Sequence, residues 1–183
     1  MGHPSAYPNA NKGFPPLPTS TSSEVTAEER SSAVDFVNRV NTLFEEFDHD
    51  KMAATFLPDA SVHHPYGVYR GSKEMRGFLE TKYPPLIPGV SRHATNHVVD
   101  RDQETGGVVV RYHNLLIRQV WPSAADKVSA DNPVTVTGLP GIWFFSSMVD
   151  RLKMTDDGWK VHARIIGSSV INENLGPDAE PRS

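Results

Sequence analysis

The hydrophobic pattern of the chain changes period after Pro88, and this change restricts the fold more than any other feature. Before Pro88, apolar residues recur at spacings of three and four, as on one face of an α-helix. After Pro88, four long segments are rich in β-branched and aromatic residues, which is typical of strands: 91–100, 107–121, 142–154 and 159–171. Hairpin connections between such strands predict a strongly bent antiparallel sheet. We therefore predict an α+β domain in which N-terminal helices cover one face of the sheet.

Three helices are predicted before the period changes. Thr26 and Glu29 have the spacing of a capping box at the start of the first helix. A short second helix is predicted over 52–56. The third follows Gly71, and the proline pair at 84–85 ends it.

Both ends of the chain are predicted to lie outside the folded domain. Residues 1–23 are rich in proline, serine and small polar residues, which predicts a disordered tail. Residues 172–183 have a similar composition and predict a flexible C-terminal tail. The remaining residues, 24–171, are enough for one domain.

The composition excludes several classes of function. The 183 residues include no cysteine, which excludes thiol nucleophiles, disulfide scaffolds and Cys-ligated metal sites. A net charge of −4 provides no basic surplus for bulk nucleic-acid binding. The sequence contains no phosphate-binding loop, dinucleotide fingerprint or serine-hydrolase elbow. Because we also find no apolar run of membrane-spanning length and no secretory signal, we expect a cytoplasmic protein that binds neither nucleic acid nor membrane.

Two features of the sequence resemble the nuclear-transport-factor-2-like superfamily. One is the order of elements, which is a long helix, a short helix, a small hairpin, a third helix and four long strands; the other is a set of five short motifs. The motifs are Phe47-Asp48, Phe56 to Ala60, Tyr69-Arg70-Gly71, Ser91-Arg92-His93 with Asn96, and Gly158 to Val161. More narrowly, the chain resembles the SnoaL-like cyclases and the scytalone-dehydratase-like lyases over about Val25 to Ile171. The resemblance implies a cone-shaped, strongly bent antiparallel sheet that wraps around N-terminal helices and encloses a pocket.

The resemblance also implies a catalytic pair of His93 and Asp48. In dehydratase-like members, a histidine on this strand acts as general base or acid, and an aspartate near the end of the first helix orients it. A neutral imidazole can move a proton in either direction near working pH. The alternative is that Asp48 caps a helix or turn and that His93 is a core histidine. Phe47 stands where the dehydratases carry a tyrosine, which argues against scytalone-type dehydration.

The analogy further implies which side chains line the pocket. On the strand 109–121, the odd-numbered residues are expected to face the interior of the cone. On the last strand, His162 and Arg164 are expected to point into the pocket as well. The alternative is that they lie on a solvated face of the sheet. The expected substrate-binding residues are His64, Tyr66, Arg111, His113, Gln119, Phe144, Met148, His162 and Arg164. An inward Arg164 would suit an oxyanion or carboxylate of the ligand.

These features together predict a cofactor-independent lyase, isomerase or cyclase. It would act by His–Asp proton transfer on a hydrophobic, oxygenated molecule, such as a polyketide or terpenoid intermediate of secondary metabolism. One alternative is epoxide hydrolysis on the same fold, which needs an inward Asp–Arg–Asp cluster. Asp150 and Arg151 are weak candidates for that cluster. The other alternative is a non-catalytic small-molecule-binding or dimeric interaction module.

Neither a metal site nor a cofactor is expected, but a homodimer is. His63 and His64 are adjacent on a strand and point to opposite faces. His93 and His97 are too far apart along their strand to chelate one ion. The strand 142–154 is apolar on both faces, so we expect the uncovered face of the sheet to meet a second copy of the chain.

Overall fold

A computed structural model describes residues 14–129, 131, 133 and 137–180, and in these residues three helices pack on one face of a six-stranded sheet. The elements are α1 (Ala27–Glu46), α2 (His49–Ala54), β1 (Phe56–His64), β2 (Gly67–Arg70), α3 (Gly71–Thr81), β3 (Val90–Arg101), β4 (Val108–Arg118), β5 (Gly141–Thr155) and β6 (Gly158–Ile171). The strand order is β2-β1-β6-β5-β4-β3, with β1 parallel to β6 and the other neighbours antiparallel. The predicted α+β class and the four long strands are therefore confirmed. None of the helices in the described residues is long and apolar enough to cross a membrane.

Helix α1 begins as the sequence predicts and defines the inner face of the sheet. The Glu29 N–H donates to Thr26 Oγ1 at 3.1 Å, and the Thr26 N–H donates to the Glu29 carboxylate at 2.9 Å, which completes the capping box. One stripe of the helix is buried in the main core, together with alternate residues of β3 and β4: Ala33, Val37, Val40, Val99, Val108 and Val110. The face of β4 that carries its even-numbered residues therefore points inward.

The sheet bends because its strand pairs contain β-bulges. In β3, the register shifts between Thr95 and Val98, and Asn96 takes a left-handed φ of 57°. In β6, His162 has no partner, because Leu152 pairs with Val161 and Arg151 pairs with Ala163. An extra residue bends its strand and moves the following side chains to the other face. The curved sheet thus leaves room between itself and the helices.

Part of the predicted N-terminal tail contacts the outer face of the sheet. Arg111 Nη2 donates to the carbonyl oxygens of Pro15 and Pro16 at 2.6 Å and 2.9 Å. The Phe14 ring lies against Gly167, where a Cβ atom would come within 2.7 Å of Phe14 Cζ. These contacts cover part of the face on which a second copy is expected, and homodimerisation stays a prediction. Residues 1–13 of the predicted tail lie outside the described residues.

The last described residues, 172–180, also pack on the domain, although the sequence predicted a flexible tail. We call them the C-terminal segment. The buried Arg118 donates from Nε to the Leu175 carbonyl at 3.0 Å and from Nη1 to the Pro88 carbonyl at 2.8 Å. Its guanidinium lies 4.9 Å from the centre of the Trp143 ring, and Leu175 packs in the same small cluster. Arg118 therefore ties the C-terminal segment to the end of β4. Residues 181–183 of the predicted tail lie outside the described residues.

Replacing Arg118 should loosen this segment without unfolding the sheet. In Arg118→Met, we expect amide hydrogen exchange at Leu175 and Gly176 to accelerate about tenfold or more, because a charge-assisted hydrogen bond is lost. Exchange measured by NMR at the amides of β5 is the internal reference, and Arg39→Met, on the exposed face of α1, is the control variant. Unchanged exchange at Leu175 and Gly176 would show that Arg118 does not hold the C-terminal segment in place.

Candidate functional site

A cavity of about 610 Å³ lies between the inner face of the sheet, the helices and the C-terminal segment. This volume suits a small organic ligand. Much of its wall is aromatic: Phe44, Phe56, Phe78, Tyr83, Trp143 and Phe144. A few polar side chains interrupt this apolar wall, and they determine what chemistry the cavity can support.

Arg164 is the most deeply fixed of these polar groups. Its Nε and Nη2 atoms donate to the two carboxylate oxygens of Asp150, each at 2.7 Å, and the Tyr112 hydroxyl donates to Asp150 at 3.0 Å. Asp150 is fully buried and Arg164 is 4% exposed. Burial alone would lower the pKa of Arg164, but the charge and hydrogen bonds of Asp150 raise it above its ordinary value. The guanidinium therefore stays charged at the cavity wall.

The bulge at His162 explains why Arg164 points inward. Without the extra residue, strict alternation would place Arg164 on the outer face of the sheet, because the core residues Trp159 and Val161 define the inner face. The bulge shifts the register, so that Arg164 pairs with Asp150 on the inner face. His162 itself is absent from the residues that line the cavity, and its buried Nδ1 has no hydrogen-bond partner among the described residues. The expectation that both residues face the cavity is therefore wrong for His162.

Arg92 is a second guanidinium at the cavity wall. It lies 5.0 Å from the centre of the Phe44 ring and 5.2 Å from that of Tyr83. Its Nη2 donates to the Tyr83 hydroxyl at 2.9 Å. Arg164 lies 5.7 Å from the same Phe44 ring, so one aromatic ring is close to both cations. Stacking on aromatic rings holds the flat guanidinium in one orientation.

His64 is neutral and lines the cavity as a hydrogen-bond donor. Burial, together with the charge of Arg92, lowers the pKa of His64 to about 4. Its Nδ1 accepts the Tyr66 N–H at 3.2 Å, so the proton of the neutral ring lies on Nε2. A group in this state can polarise a carbonyl group, but it is a poor proton acceptor at neutral pH.

Asn114 and Ser146 form a polar patch on neighbouring strands of the cavity wall. The two residues pair directly between β4 and β5, and both are buried. The Asn114 Oδ1 atom has no hydrogen-bond partner among the described residues. Since a buried amide without a partner costs free energy, this patch suits a polar group of a ligand.

Five of the predicted substrate-binding residues line this cavity, and four others do not. Those at the wall are His64, Tyr66, Phe144, Met148 and Arg164. Those elsewhere are Arg111, His113, Gln119 and His162. Arg111, His113 and Gln119 are not at the wall, because the face of β4 that carries its odd-numbered residues points outward. There Arg111 pairs with Asp100 at 2.9 Å, the His113 ring packs on Phe145, and Gln119 donates to Ser91.

The structure does not bring His93 and Asp48 together. Asp48 caps α2 by accepting the Lys51 N–H at 3.0 Å, and its carboxylate also pairs with the Lys51 ammonium group. These contacts lower the pKa of Asp48, the hydrogen bond from the Lys51 backbone most strongly. His93 is exposed on the outer side of β3, where its Nε2 lies 2.9 Å from Ser91 Oγ. No hydrogen bond joins the two residues in the described part of the chain, and neither of them lines the cavity.

Sequence reasoning missed several residues of the wall. Arg92 is the neighbour of His93, and alternation turns it inward when His93 faces outward. Asn114 lies on the face of β4 that we expected to point away. Trp143 is the extra residue of a bulge in β5, because Leu116 pairs with Phe144 and Ile117 pairs with Ile142. Trp143 and Phe144 can therefore both lie at the wall, although they are neighbours in the chain. The C-terminal segment contributes the exposed Glu173 and Asp178 at the mouth, and its composition carries no signal for this position.

The cluster around Asp150 does not complete a site for epoxide hydrolysis. Arg151 points to the outer face and binds Asp102 at 2.7 Å and 2.8 Å, so it is Arg164 that joins Asp150. No second carboxylate pairs with Arg164 in the described part of the chain.

Within residues 14–129, 131, 133 and 137–180, there is also no cluster of three or more histidine, aspartate or glutamate side chains arranged to hold a metal ion.

Removing one partner of the buried ion pair should be costly. In Asp150→Ala, Arg164 is left as an unpaired buried charge, and we expect the free energy of unfolding in urea to fall by about 3–5 kcal/mol. The double variant Asp150→Leu/Arg164→Met should recover much of this loss, because it removes both charges. Asp35→Ala, which breaks an exposed pair with Arg39, is the control. A loss in Asp150→Ala no larger than in this control would contradict the role of the pair.

The neutral state of His64 can be tested by titration. The ring proton resonances of His64, assigned with His64→Phe, should shift in NMR spectra with a midpoint near pH 4, against about 6.5 for an unperturbed histidine. Because the unfolded chain binds this proton more readily, His64 lowers the stability of the fold as pH falls from 6.5 towards 4. A midpoint near 6.5 would show that the ring is solvated.

Comparison with known proteins places this geometry in a family. The sequence profile of the SnoaL-like domain matches residues 25–165. No curated protein matches the sequence significantly. A cystatin-like-fold protein of unknown function from Nostoc punctiforme is similar with a TM-score of 0.61 and 13% identity, over 82% of this chain and 96% of that chain.

Two further solved structures are similar at comparably low identity. A candidate scytalone dehydratase from Novosphingobium aromaticivorans has a TM-score of 0.61 and 17% identity, over 88% of this chain and 100% of that chain. ActVI-ORFA from Streptomyces coelicolor has a TM-score of 0.57 and 16% identity, over 74% and 94%. At these identities the structures establish the fold, whereas the profile match covers most of the chain. The chain therefore belongs to the SnoaL-like domain family, within the NTF2-like, cystatin-like fold.

Proposed function

We propose that this protein is a cofactor-independent lyase, isomerase or cyclase that transfers protons on a hydrophobic, oxygenated small molecule of secondary metabolism. A polyketide or terpenoid intermediate has the required chemistry. The observation that carries the proposal is the guanidinium of Arg164, which Asp150 fixes at the wall of an aromatic cavity. A preorganised cation in such a place stabilises the negative charge that develops on oxygen when a neighbouring carbon loses a proton.

The electrophilic side of the reaction would be assembled on the sheet. Arg164 uses Nε and Nη2 for Asp150, so Nη1 is the nitrogen left for a carbonyl oxygen of the substrate. The patch formed by Asn114 and Ser146 adds an amide and a hydroxyl on the same inner face, where the unpartnered Asn114 Oδ1 can accept a hydrogen bond from a hydroxyl group of the substrate. These groups sit on regular strands with buried side chains, which keeps them in place before the substrate arrives.

The proton acceptor would come from the C-terminal segment. Among the described residues that line the cavity, His64 is held as a donor, and the carboxylates belong to Glu173 and Asp178. A carboxylate at the mouth can take a proton from a carbon whose carbonyl oxygen points inward to Arg164, and it can return the proton elsewhere in elimination, isomerisation or cyclisation. The acid–base role of His93 and Asp48 stays a prediction from the sequence and has no part in this arrangement.

The name of one similar structure agrees with this proposal. It is described as a candidate scytalone dehydratase, and a dehydratase is a lyase. The fold also serves proteins with other activities, so the residues of the cavity support the proposal more strongly than the similarity does. A non-catalytic binding module would use the same cavity, and the separation of His93 from Asp48 favours it as the second candidate.

Proton transfer can be measured before the substrate is known. We expect the protein to accelerate solvent deuterium exchange at the α-carbon of 2-tetralone, an aromatic ketone that fits the cavity, above the rate in buffer. In Glu173→Gln/Asp178→Asn, this rate should fall about 100-fold or more, because the proton acceptors are lost while the apolar wall remains. Mass spectrometry gives the exchange rate, and a thermal melt checks the fold.

Two control variants separate the possible outcomes. Asp157→Asn removes an exposed carboxylate in the β5–β6 turn and should leave the exchange rate unchanged. A loss of exchange in His93→Gln, with a normal rate in the double variant, would favour the sequence-based pair instead. Binding of 2-tetralone by the native protein without any accelerated exchange would favour the binding module.

A further inference from the structure

The two arginines of the cavity differ in how their charges are balanced. Arg164 has Asp150 as a bidentate partner. Arg92 makes no ion pair within 4.0 Å in the described part of the chain, and the side-chain acceptor of its guanidinium is the neutral Tyr83 hydroxyl. The nearby carboxylate of Glu45 accepts the backbone N–H of Arg92 instead. Among the described residues, the guanidinium of Arg92 therefore has no carboxylate bound to it directly.

The surroundings of Arg92 make this missing partner significant. Its guanidinium is half-buried and stacks on two buried aromatic rings, those of Phe44 and Tyr83. A cation beside apolar surface loses hydration, and an anion would restore the lost free energy. The acidic residues Glu173 and Asp178 line the same cavity, but they lie exposed at its mouth and pair with neither arginine.

His64 supplies a second donor at the wall of the same cavity as Arg92. Burial is the main cause of its lowered pKa, and the charge of Arg92 lowers that pKa further. His64 Nδ1 is occupied by the Tyr66 N–H, so the ring presents its Nε2–H. Arg92 also has only donors. A group that binds between them must accept hydrogen bonds, and it gains most if it is negatively charged.

We propose that the substrate is a hydrophobic carboxylic acid whose carboxylate binds to Arg92, with His64 as a second donor. This inference rests on the proposed function and names the class of substrate for the same cavity. The carboxylate at Arg92 is distinct from the carbonyl oxygen at Arg164, and the aromatic wall between them contacts the apolar body of the molecule. When the carboxylate and the carbonyl oxygen of the substrate are both bound inside the cavity, the carbon that loses its proton faces Glu173 and Asp178 at the mouth.

Equilibrium binding of a matched pair of ligands tests this inference. Naphthalene-2-carboxylate and naphthalene-2-carboxamide have nearly the same shape and differ in charge. Isothermal titration calorimetry of the native protein should give at least about tenfold tighter binding of the carboxylate, since a charge-assisted hydrogen bond contributes that much. Binding of the carboxylate, but not of the carboxamide, should be weakened by added salt.

Arg92 variants identify the residue responsible. In Arg92→Gln, the affinity for the carboxylate should fall to that for the carboxamide, and the carboxamide should bind within about twofold of the native value. Arg92→Lys keeps the charge and should retain part of the preference. Arg76→Gln removes an exposed arginine of α3 that is not at the cavity wall and should change neither affinity. The ligand comparison on the native protein stands even if Arg92→Gln folds poorly.

The outcomes separate this inference from the proposed function. Equal binding of the two ligands by the native protein would overturn the carboxylic-acid substrate and leave proton transfer on a neutral ketone intact. A preference for the carboxylate that persists in Arg92→Gln would also overturn it, because the charge would then be recognised elsewhere. Selective, Arg92-dependent binding without accelerated exchange of 2-tetralone would support the ligand class and count against catalysis. Failure of both ligands to bind would overturn the ligand class altogether.

Discussion

The site depends on the buried pair of Asp150 and Arg164. Burying either charge alone would be costly, and the bidentate contact, with the Tyr112 hydroxyl as a third hydrogen bond to the carboxylate, offsets that cost. The pair exists because β6 contains one extra residue, His162, which moves Arg164 to the inner face. A single bulge thus moves a sheet residue that alternation would place outside to the inner face, where it is a fixed cation at the wall of a largely aromatic cavity.

Two further donors of the cavity, Arg92 and His64, are fixed by contacts separate from this ion pair. Arg92 is fixed by two aromatic rings, and the tautomer of His64 is fixed by a backbone N–H. The interior wall therefore presents fixed donors, whereas the carboxylates lie at the mouth. Such a separation orients a substrate by charge before any bond changes, and fixed dipoles need no reorganisation during the reaction. It also explains why a histidine at the wall need not be the base: its environment makes it a donor.

The sequence predicts the elements of this fold well and the orientation of their side chains less well. The capping box of Thr26 and Glu29 and the strand pattern after Pro88 are local signals, and both appear in the structure, although β1 and β2 already precede Pro88. Alternation shows which residues of β4 share a face but not which face points inward. The burial of Val108 and Val110 against α1 shows that the even-numbered face points inward. Arg111 and His113 therefore lie outside the cavity. Bulges have no sequence signal here, so the separate positions of His162 and Arg164 could not be predicted.

The C-terminal segment shows a further limit of composition, because a polar stretch can be ordered through its backbone. Its anchor is the hydrogen bond from Arg118 to the Leu175 carbonyl, and any residue at position 175 would offer that carbonyl. A segment held by few apolar contacts opens at a lower free-energy cost than the sheet beneath it. The cavity therefore combines a rigid wall that carries the arginines with a more easily displaced edge that carries the acidic groups.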